Sequence, residues 1–369
     1  MPPFHPSSSS IRQLGDLARN VYRKGPNMAA PVPRLARRSL VTDTKGKYPM
    51  IALEEHYIAK SVGMPEALST AMQSHFPASV TEKLFDLDTQ RIPAMDAGSI
   101  SIQILSHVPA YVSAEFCAKA NEELAEAVKR NPDRYAAFAM LPMSDPPAAA
   151  KELERCVTEL GMVGALINNH LSDGTYFDGA EFWPVFEEAE RLDVPLYIHP
   201  SIQPEQRMKA FAGNYPKEVQ MSLAHWGFGW HAATATHVLH LFAAGLFDQY
   251  PKLKIVIGHM GELLPFTLER IERFSKTWGP RKKTFKQVWD ENIWVTTSGM
   301  FSVNPMATVL RNTPLDHIMY SVDYPFEQNE NGLKFMEDLK ESGLVTEEQL
   351  KAIAYKNAAK LLKINTPAV

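Results

Sequence analysis

Five residues of this 369-residue chain carry metal-ligating side chains at comparable places: Glu54, His56, His199, His259 and Asp323. Each closes a short apolar run. The run endings read Leu53-Glu54-Glu55-His56, Tyr197-Ile198-His199-Pro200, Gly258-His259-Met260-Gly261-Glu262 and Ser321-Val322-Asp323-Tyr324-Pro325. Alternate residues of an extended segment point the same way, so Glu54 and His56 reach one point while Glu55 faces away. Carboxylate oxygens and neutral imidazole nitrogens suit Zn²⁺ or Mn²⁺. A single strand-end histidine is ordinary, but four strand ends bearing one ligand chemistry point to one site. Cys117 and Cys156 lie in helical patterns, away from these ends, so no thiolate site is expected. They read as buried free thiols of a reducing compartment.

The elements that must position these residues are eight apolar runs, at 50–54, 100–105, 135–141, 163–167, 194–198, 253–257, 293–297 and 318–322. Each is short and ends at polar residues, Gly or Pro, as buried parallel strands do. Amphipathic helical patterns lie between them, at 115–130, 147–160 and 181–192, and 346–362 closes the chain. Eight strands alternating with helices predict an α/β chain folded as a (β/α)₈ barrel. The alternative, a doubly wound open sheet, would place a glycine-rich phosphate turn after its first strand. Leu53-Glu54-Glu55-His56 occupies that place. Barrel chemistry sits at the carboxyl ends of the strands. His107 follows the second run and His170 the fourth, so both are candidates for substrate contact. His231, His237 and His240 fall on a helical pattern at 230–247. No HExxH spacing joins them, so packing or hydrogen bonding is expected of them. His5, His75, His225 and His317 read as loop residues.

The charge balance is 38 Lys and Arg against 42 Asp and Glu, a formal −4, with 45% hydrophobic residues. That excludes a basic nucleic-acid footprint over the whole chain. No run of about 18 apolar residues is present, so no membrane partner is expected. The charge is unevenly spread. Residues 1–42 hold seven Lys and Arg against the single acid Asp16, with six prolines and the run Ser7-Ser8-Ser9-Ser10. They carry +6, which leaves −10 for the remainder. Residues 1–48 therefore read as a disordered leader, and 49–369 as one barrel domain. A basic, serine-rich, acid-poor segment is also the composition of a mitochondrial transit peptide. The expected location is cytoplasmic, with mitochondrial as the alternative.

The four run endings stand in the order found in the amidohydrolase superfamily. The chain most resembles its decarboxylase branch, which contains γ-resorcylate, 2,3-dihydroxybenzoate, salicylate, 5-carboxyvanillate and aminocarboxymuconate semialdehyde decarboxylases. Asn131-Pro132-Asp133-Arg134-Tyr135, Phe182-Trp183-Pro184-Val185-Phe186 and Thr296-Thr297-Ser298-Gly299 resemble the same branch, and the likeness covers residues 50–365. It implies a (β/α)₈ barrel of the metal-dependent hydrolase type. One divalent ion is implied, Zn²⁺ first and Mn²⁺ or Mg²⁺ as alternatives, held by Glu54, His56, His199 and Asp323. Some relatives have Ala in place of His56. Many hydrolases of the superfamily open with His-x-His and use a carboxylated lysine after strand four. Here the opening is Glu-x-His, and strand four ends in Ile167-Asn168-Asn169-His170, which implies a mononuclear site.

The resemblance further implies that His259 is the catalytic histidine and Glu262 the carboxylate that orients it. Read alone, Glu262 is equally a helix N-terminal acid favoured by the macrodipole. Arg270 stands where relatives carry an arginine that reaches the neighbouring subunit's site, where its planar fork would bind a substrate carboxylate. A homodimer or homotetramer is implied. The implied activity is non-oxidative decarboxylation of an ortho-hydroxy aromatic or related unsaturated carboxylic acid, without an organic cofactor. A proton must reach the ring carbon before CO₂ leaves, and Asp323 and His259 are both candidates to deliver it. The alternatives are a metal-dependent hydrolase of a lactone, amide or ester on the same fold, and a non-catalytic barrel.

Overall fold

The eight apolar runs become the parallel staves of an α/β barrel in the computed structural model, which describes residues 48–65, 69 and 76–365. The strands are β1 (Met50–Tyr57), β2 (Ile100–His107), β3 (Tyr135–Ala137), β4 (Ala139–Met140), β5 (Ala165–Asn168), β6 (Pro195–His199), β7 (Lys254–Ile257), β8 (Ile293–Thr296) and β9 (Ile318–Met319). Their hydrogen-bonded order is β1-β2-β3 in one sheet and β4-β5-β6-β7-β8-β9 in the other. The third run thus yields two short strands, with a change of partner at Phe138. Phe138 N donates to Leu105 O at 2.9 Å, on β2, while Ala139 N donates to Gly164 O at 2.9 Å, just before β5.

The chain beyond β9 returns to β1. Asp323 N donates to Glu54 O at 3.0 Å, and His56 N to Tyr324 O at 2.7 Å. Glu55 and Tyr324 form a parallel bridge there. All eight residues of β1 are buried, as parallel staves covered on both faces should be. Three of the eight are nevertheless polar, Glu54, Glu55 and His56, and Gln103 on β2 is buried beside them. Burying charge is costly unless partners compensate, so these residues mark where the barrel departs from packing alone.

The helices form where the patterns place them. Helix Ala114–Arg130 begins at Ser113, whose side chain accepts from Phe116 N, and it buries Cys117, Ala120 and Leu124. Helix Pro146–Thr158 begins at Asp145, which accepts from Ala148 N, and it buries Ala149, Leu153 and Cys156. Each cap contributes about 1 kcal/mol. Both cysteines are free and buried. The helical pattern at 230–247 becomes helix Gly229–Ala244, stopped by Gly245 at φ +84°, and then the short helix Leu246–Gln249. Only glycine takes such a left-handed cap without steric cost. The closing helix includes a π-helical turn, Ala352–Lys356, absent from the simple periodicity. Among the described residues, no helix is long and apolar enough to cross a membrane. The expected leader, His5 and His75 lie outside the described residues, apart from Tyr48 at the leader's end.

Candidate active site

Strand periodicity turns Glu54 and His56 toward the barrel mouth, where His199 arrives at the end of β6 and Asp323 just beyond β9. Glu54 Oε1 lies 2.9 Å from His199 Nε2. His56 Nε2 lies 3.1 Å from His199 Nε2 and 3.2 Å from Asp323 Oδ1. One donor atom from each of the four residues falls within 4.8 Å of the others. Apart from the neighbouring imidazoles of His199 and His56, the buried Glu54 Oε1 and Asp323 Oδ1 have no hydrogen-bond partner. His199 Nδ1 donates to Pro200 O at 2.7 Å, which leaves its Nε2 lone pair facing the cluster. Converging lone pairs on two imidazoles and two carboxylates fit a divalent cation.

The surroundings hold this set in place. Tyr197 donates its hydroxyl to Glu54 Oε2 and is 2.7 Å from Thr296 Oγ1. A Cβ at Gly258 would sit 2.7 Å from Glu54 Oε2 and 2.9 Å from the Tyr197 hydroxyl, so the close approach requires glycine. Burial opposes charge on the Glu54 carboxyl, yet the imidazoles of His259 and His199 hold it well below the usual carboxylate range. Burial likewise opposes charge on His56, and the Asp323 and Glu54 carboxylates raise it to about 9. The local field therefore favours positive charge where the four donors meet.

His259 and Glu262 follow β7 in an unusual turn. Five successive residues have positive φ: His259 47°, Met260 57°, Gly261 86°, Glu262 53° and Leu263 68°. Four are not glycine, and each left-handed residue costs on the order of 1 kcal/mol or more. Met260 N to Thr296 O (2.9 Å) and Gly261 N to Gly258 O (2.8 Å) hold the turn. The turn brings His259 Nδ1 to 2.8 Å from Glu262 Oε1. The other oxygen, Oε2, lies 2.6 Å from His231 Nδ1. Burial pushes the Glu262 carboxyl up, but His259 and His231 bring it down to about 2. Burial lowers the His259 imidazole, and the Glu262 and Glu54 carboxylates raise it to about 10. Helix Leu264–Ser275 starts only after this turn. Glu262 thus stands just before the helix N-terminus, with both of its oxygens taken by imidazoles. His231 was expected only to pack or hydrogen-bond on its helix. It completes a buried His259–Glu262–His231 chain that no local spacing reveals.

A cavity of about 440 Å³ opens above the ligands. His199, His231, His259 and Asp323 contribute to its polar side, and Trp226, Trp230, Met221 and Ile202 to its apolar walls. His225, read from sequence as a plain loop residue, also lines it. His107 and His170, the candidate substrate contacts, are not among the residues that line it. His107 packs its ring against Tyr57 and Phe116, its Nδ1 donates to Val108 O at 2.8 Å, and burial lowers it to about 4. His170 turns its Nδ1 to Leu171 O (2.7 Å) and the Tyr111 hydroxyl (3.1 Å). Arg270 sits on the exposed face of helix Leu264–Ser275, over the Phe274 ring, outside its own chain's cavity.

The sequence profile described as Amidohydrolase matches residues 86–364. The chain belongs to the amidohydrolase family. This amidohydrolase is 48% identical over 326 residues to decarboxylase orsB of Emericella nidulans, covering 86% of this chain and 98% of the relative. It is 36% identical over 333 residues to γ-resorcylate decarboxylase of Polaromonas sp., covering 85% and 98%. A solved dihydroxybenzoic acid decarboxylase from Polaromonas sp., with bound manganese and the inhibitor 2-nitroresorcinol, superposes with a TM-score of 0.77. That match has 33% identity and covers 87% of this chain and 98% of the other. The decarboxylase branch that the motifs resemble is the branch these names carry, and the α/β barrel expected from the strand pattern is of the amidohydrolase type that the resemblance implied.

Proposed function

We infer that this amidohydrolase is a metal-dependent carboxy-lyase that releases CO₂ from an ortho-hydroxy aromatic or related unsaturated carboxylic acid. The observation that carries this reading is the four-donor cluster of Glu54, His56, His199 and Asp323 beside the His259–Glu262 pair, on the floor of an apolar cavity. The names of the relatives supply the reaction type. The mixed nitrogen and oxygen set suits Zn²⁺, the first choice from sequence, and equally Mn²⁺, the ion in the Polaromonas structure. A bound cation would supply positive charge that holds the acid's oxygens and stabilises the negative charge of the ring oxygen.

The chain's own residues do the rest. Trp226 and Trp230 pack the ring and exclude water. His259, kept charged by Glu262, holds a proton on Nε2, which faces the ligands 4.0 Å from Glu54 Oε1. A proton passes from His259 or Asp323 to the ring carbon that bears the carboxylate. The carbon–carbon bond to the carboxylate then breaks, its electron pair restores the aromatic ring, and CO₂ leaves. Each turnover consumes one proton, so the donor is recharged from solvent.

Two further assignments belong to this reading. Arg270 serves a second copy's cavity in a homodimer or homotetramer, supported by the exposed aromatic side chains Phe266, Phe274 and Trp278 near it. The composition of residues 1–48 supports a leader ahead of the barrel domain 49–369, in a cytoplasmic or mitochondrial enzyme. The test is a panel of hydroxybenzoates with CO₂ release as readout, together with incubation of the matching phenols in bicarbonate. A decarboxylase runs in both directions. Hydrolysis of lactones or esters, with no CO₂ from any ortho-hydroxybenzoate, would establish the hydrolase alternative instead.

A further inference from the structure

Glu55 stands between two of the proposed metal ligands and faces the opposite way. Its fully buried carboxylate is ringed by donors. Oε1 accepts from Val322 N at 2.9 Å and from Ser321 Oγ at 3.3 Å. Oε2 accepts from Gln103 Nε2 at 3.1 Å and from Tyr324 N at 3.3 Å. Ser321 Oγ itself accepts from Glu54 N at 2.7 Å, so its own proton is free to go to Glu55. Gln103 is oriented by Arg91, whose Nη1 donates to Gln103 Oε1 at 3.3 Å and whose Nη2 donates to His56 O. Val322 and Tyr324 flank Asp323, which is itself held at φ +76°.

We propose that Glu55 is a positioning residue that fixes Asp323 against Glu54 and His56 by gathering the backbone N–H groups on either side of it. The proposal rests on the reading of Glu54, His56, His199 and Asp323 as metal ligands. Here the barrel joins its last stave to its first through side chains as well as backbone bonds. Gln103 Nε2, Tyr324 N and Val322 N can only donate, so a glutamine at this position would aim its NH₂ at one or more donors. One tie would be lost and the Asp323 segment released, with the ligands Glu54, His56 and His199 left in place.

The test uses the full chain, stripped of metal and titrated with Mn²⁺ against a fluorescent chelator, with thermal unfolding followed in parallel. Wild type should bind one Mn²⁺. Glu55→Gln should bind it roughly 10–100-fold more weakly, the range typical of lost outer-shell partners. Leu153→Ala, in the buried face of a distant helix, should lower the melting temperature and leave Mn²⁺ affinity unchanged. That control separates positioning from general destabilisation. Equal Mn²⁺ affinity in wild type and Glu55→Gln overturns the proposal alone. If wild type binds no Mn²⁺, the metal-site reading falls and takes this proposal with it. If Glu55→Gln does not fold, Ser321→Ala carries the test through the same network. It should weaken Mn²⁺ at least about threefold, and unchanged affinity overturns the proposal.

Discussion

Replacing His259 with alanine separates chemistry from metal binding. Its Nε2 lies 4.0 Å from the nearest Glu54 oxygen, outside the four-donor cluster. Metal content should therefore stay at the wild-type level. The proton-donor role is worth about 10²–10⁴ in rate, or about 3–5 kcal/mol of barrier at 1.36 kcal/mol per tenfold. The cost to folding is smaller. Glu262 loses one partner but keeps His231 at 2.6 Å, which costs about 1–3 kcal/mol. Glu262→Gln should lower the rate less, by about 10–100-fold, because an amide oxygen still accepts from one imidazole. The decisive measurement is the double variant. If Glu262 acts only through His259, His259→Ala/Glu262→Gln turns over no more slowly than His259→Ala. CO₂ release in single turnovers at saturating acid, with metal measured on the same samples, gives all four rates. The reasoning is refuted if His259→Ala stays within tenfold of wild type, if it loses metal, or if the two losses multiply in full.

Asp323→Asn keeps the shape but removes the charge of a proposed ligand. It should lose most bound metal and all measurable CO₂ release, and elemental analysis showing full occupancy would defeat the assignment. Arg270→Ala should raise KM for carboxylate substrates about tenfold or more with little change in kcat, since it removes a bidentate contact and no proton donor. Normal Michaelis behaviour would count against Arg270 reaching a neighbouring site. The buried dyad also sets a pH dependence in the metal-free protein. His259 is raised from about 6.5 to about 10, so its contribution to stability is fully present below pH 6.5 and is lost as pH rises through 10. Glu262 is lowered from about 4.5 to about 2, so its contribution is present above pH 4.5 and is lost as pH falls through 2. Melting curves of wild type should therefore fall more steeply than those of His259→Ala between pH 7 and 10, and parallel curves would show that the dyad contributes nothing.

The proposed ligands were readable because a strand end is a local feature. Apolar runs ending in Glu54-Glu55-His56, His199, His259 and Asp323 announce both the staves and the mouth, and a period of two sorts Glu54 and His56 from Glu55. What escaped the sequence depends on partners far along the chain. His231 precedes Glu262 by thirty-one positions on a helix buried on several sides, so its own pattern cannot say which nitrogen finds a carboxylate. The third run divides at Phe138 because that residue's amide stays with β2 while its neighbour's goes to the chain before β5. The left-handed turn at His259–Leu263 runs against local propensity, and only Gly261 hints at it. His107 and His170 were candidates because each stands at the carboxyl end of a strand, but where such a side chain points depends on its neighbours. Tyr57, Phe116 and Val108 engage the His107 ring, and Tyr111 and Leu171 hold His170.

Fold and site meet where β1 receives the chain beyond β9. The backbone bonds from Asp323 N to Glu54 O and from His56 N to Tyr324 O join residues that are themselves the proposed ligands or their neighbours. Two carboxylates and two imidazoles are gathered there, and Glu54 Oε1 and Asp323 Oδ1 find no protein partner besides those imidazoles. Such an arrangement is costly by itself, because buried lone pairs of like kind face one another. A cation that binds only the folded barrel removes that cost. It must then stabilise the fold by RT ln(1 + [L]/Kd), about 2.7 kcal/mol at a hundredfold excess over Kd. Metal affinity and barrel closure are on this view the same free energy read in two assays. A variant that weakens Mn²⁺ binding tenfold should therefore lose about 1.4 kcal/mol of the stability that saturating Mn²⁺ confers.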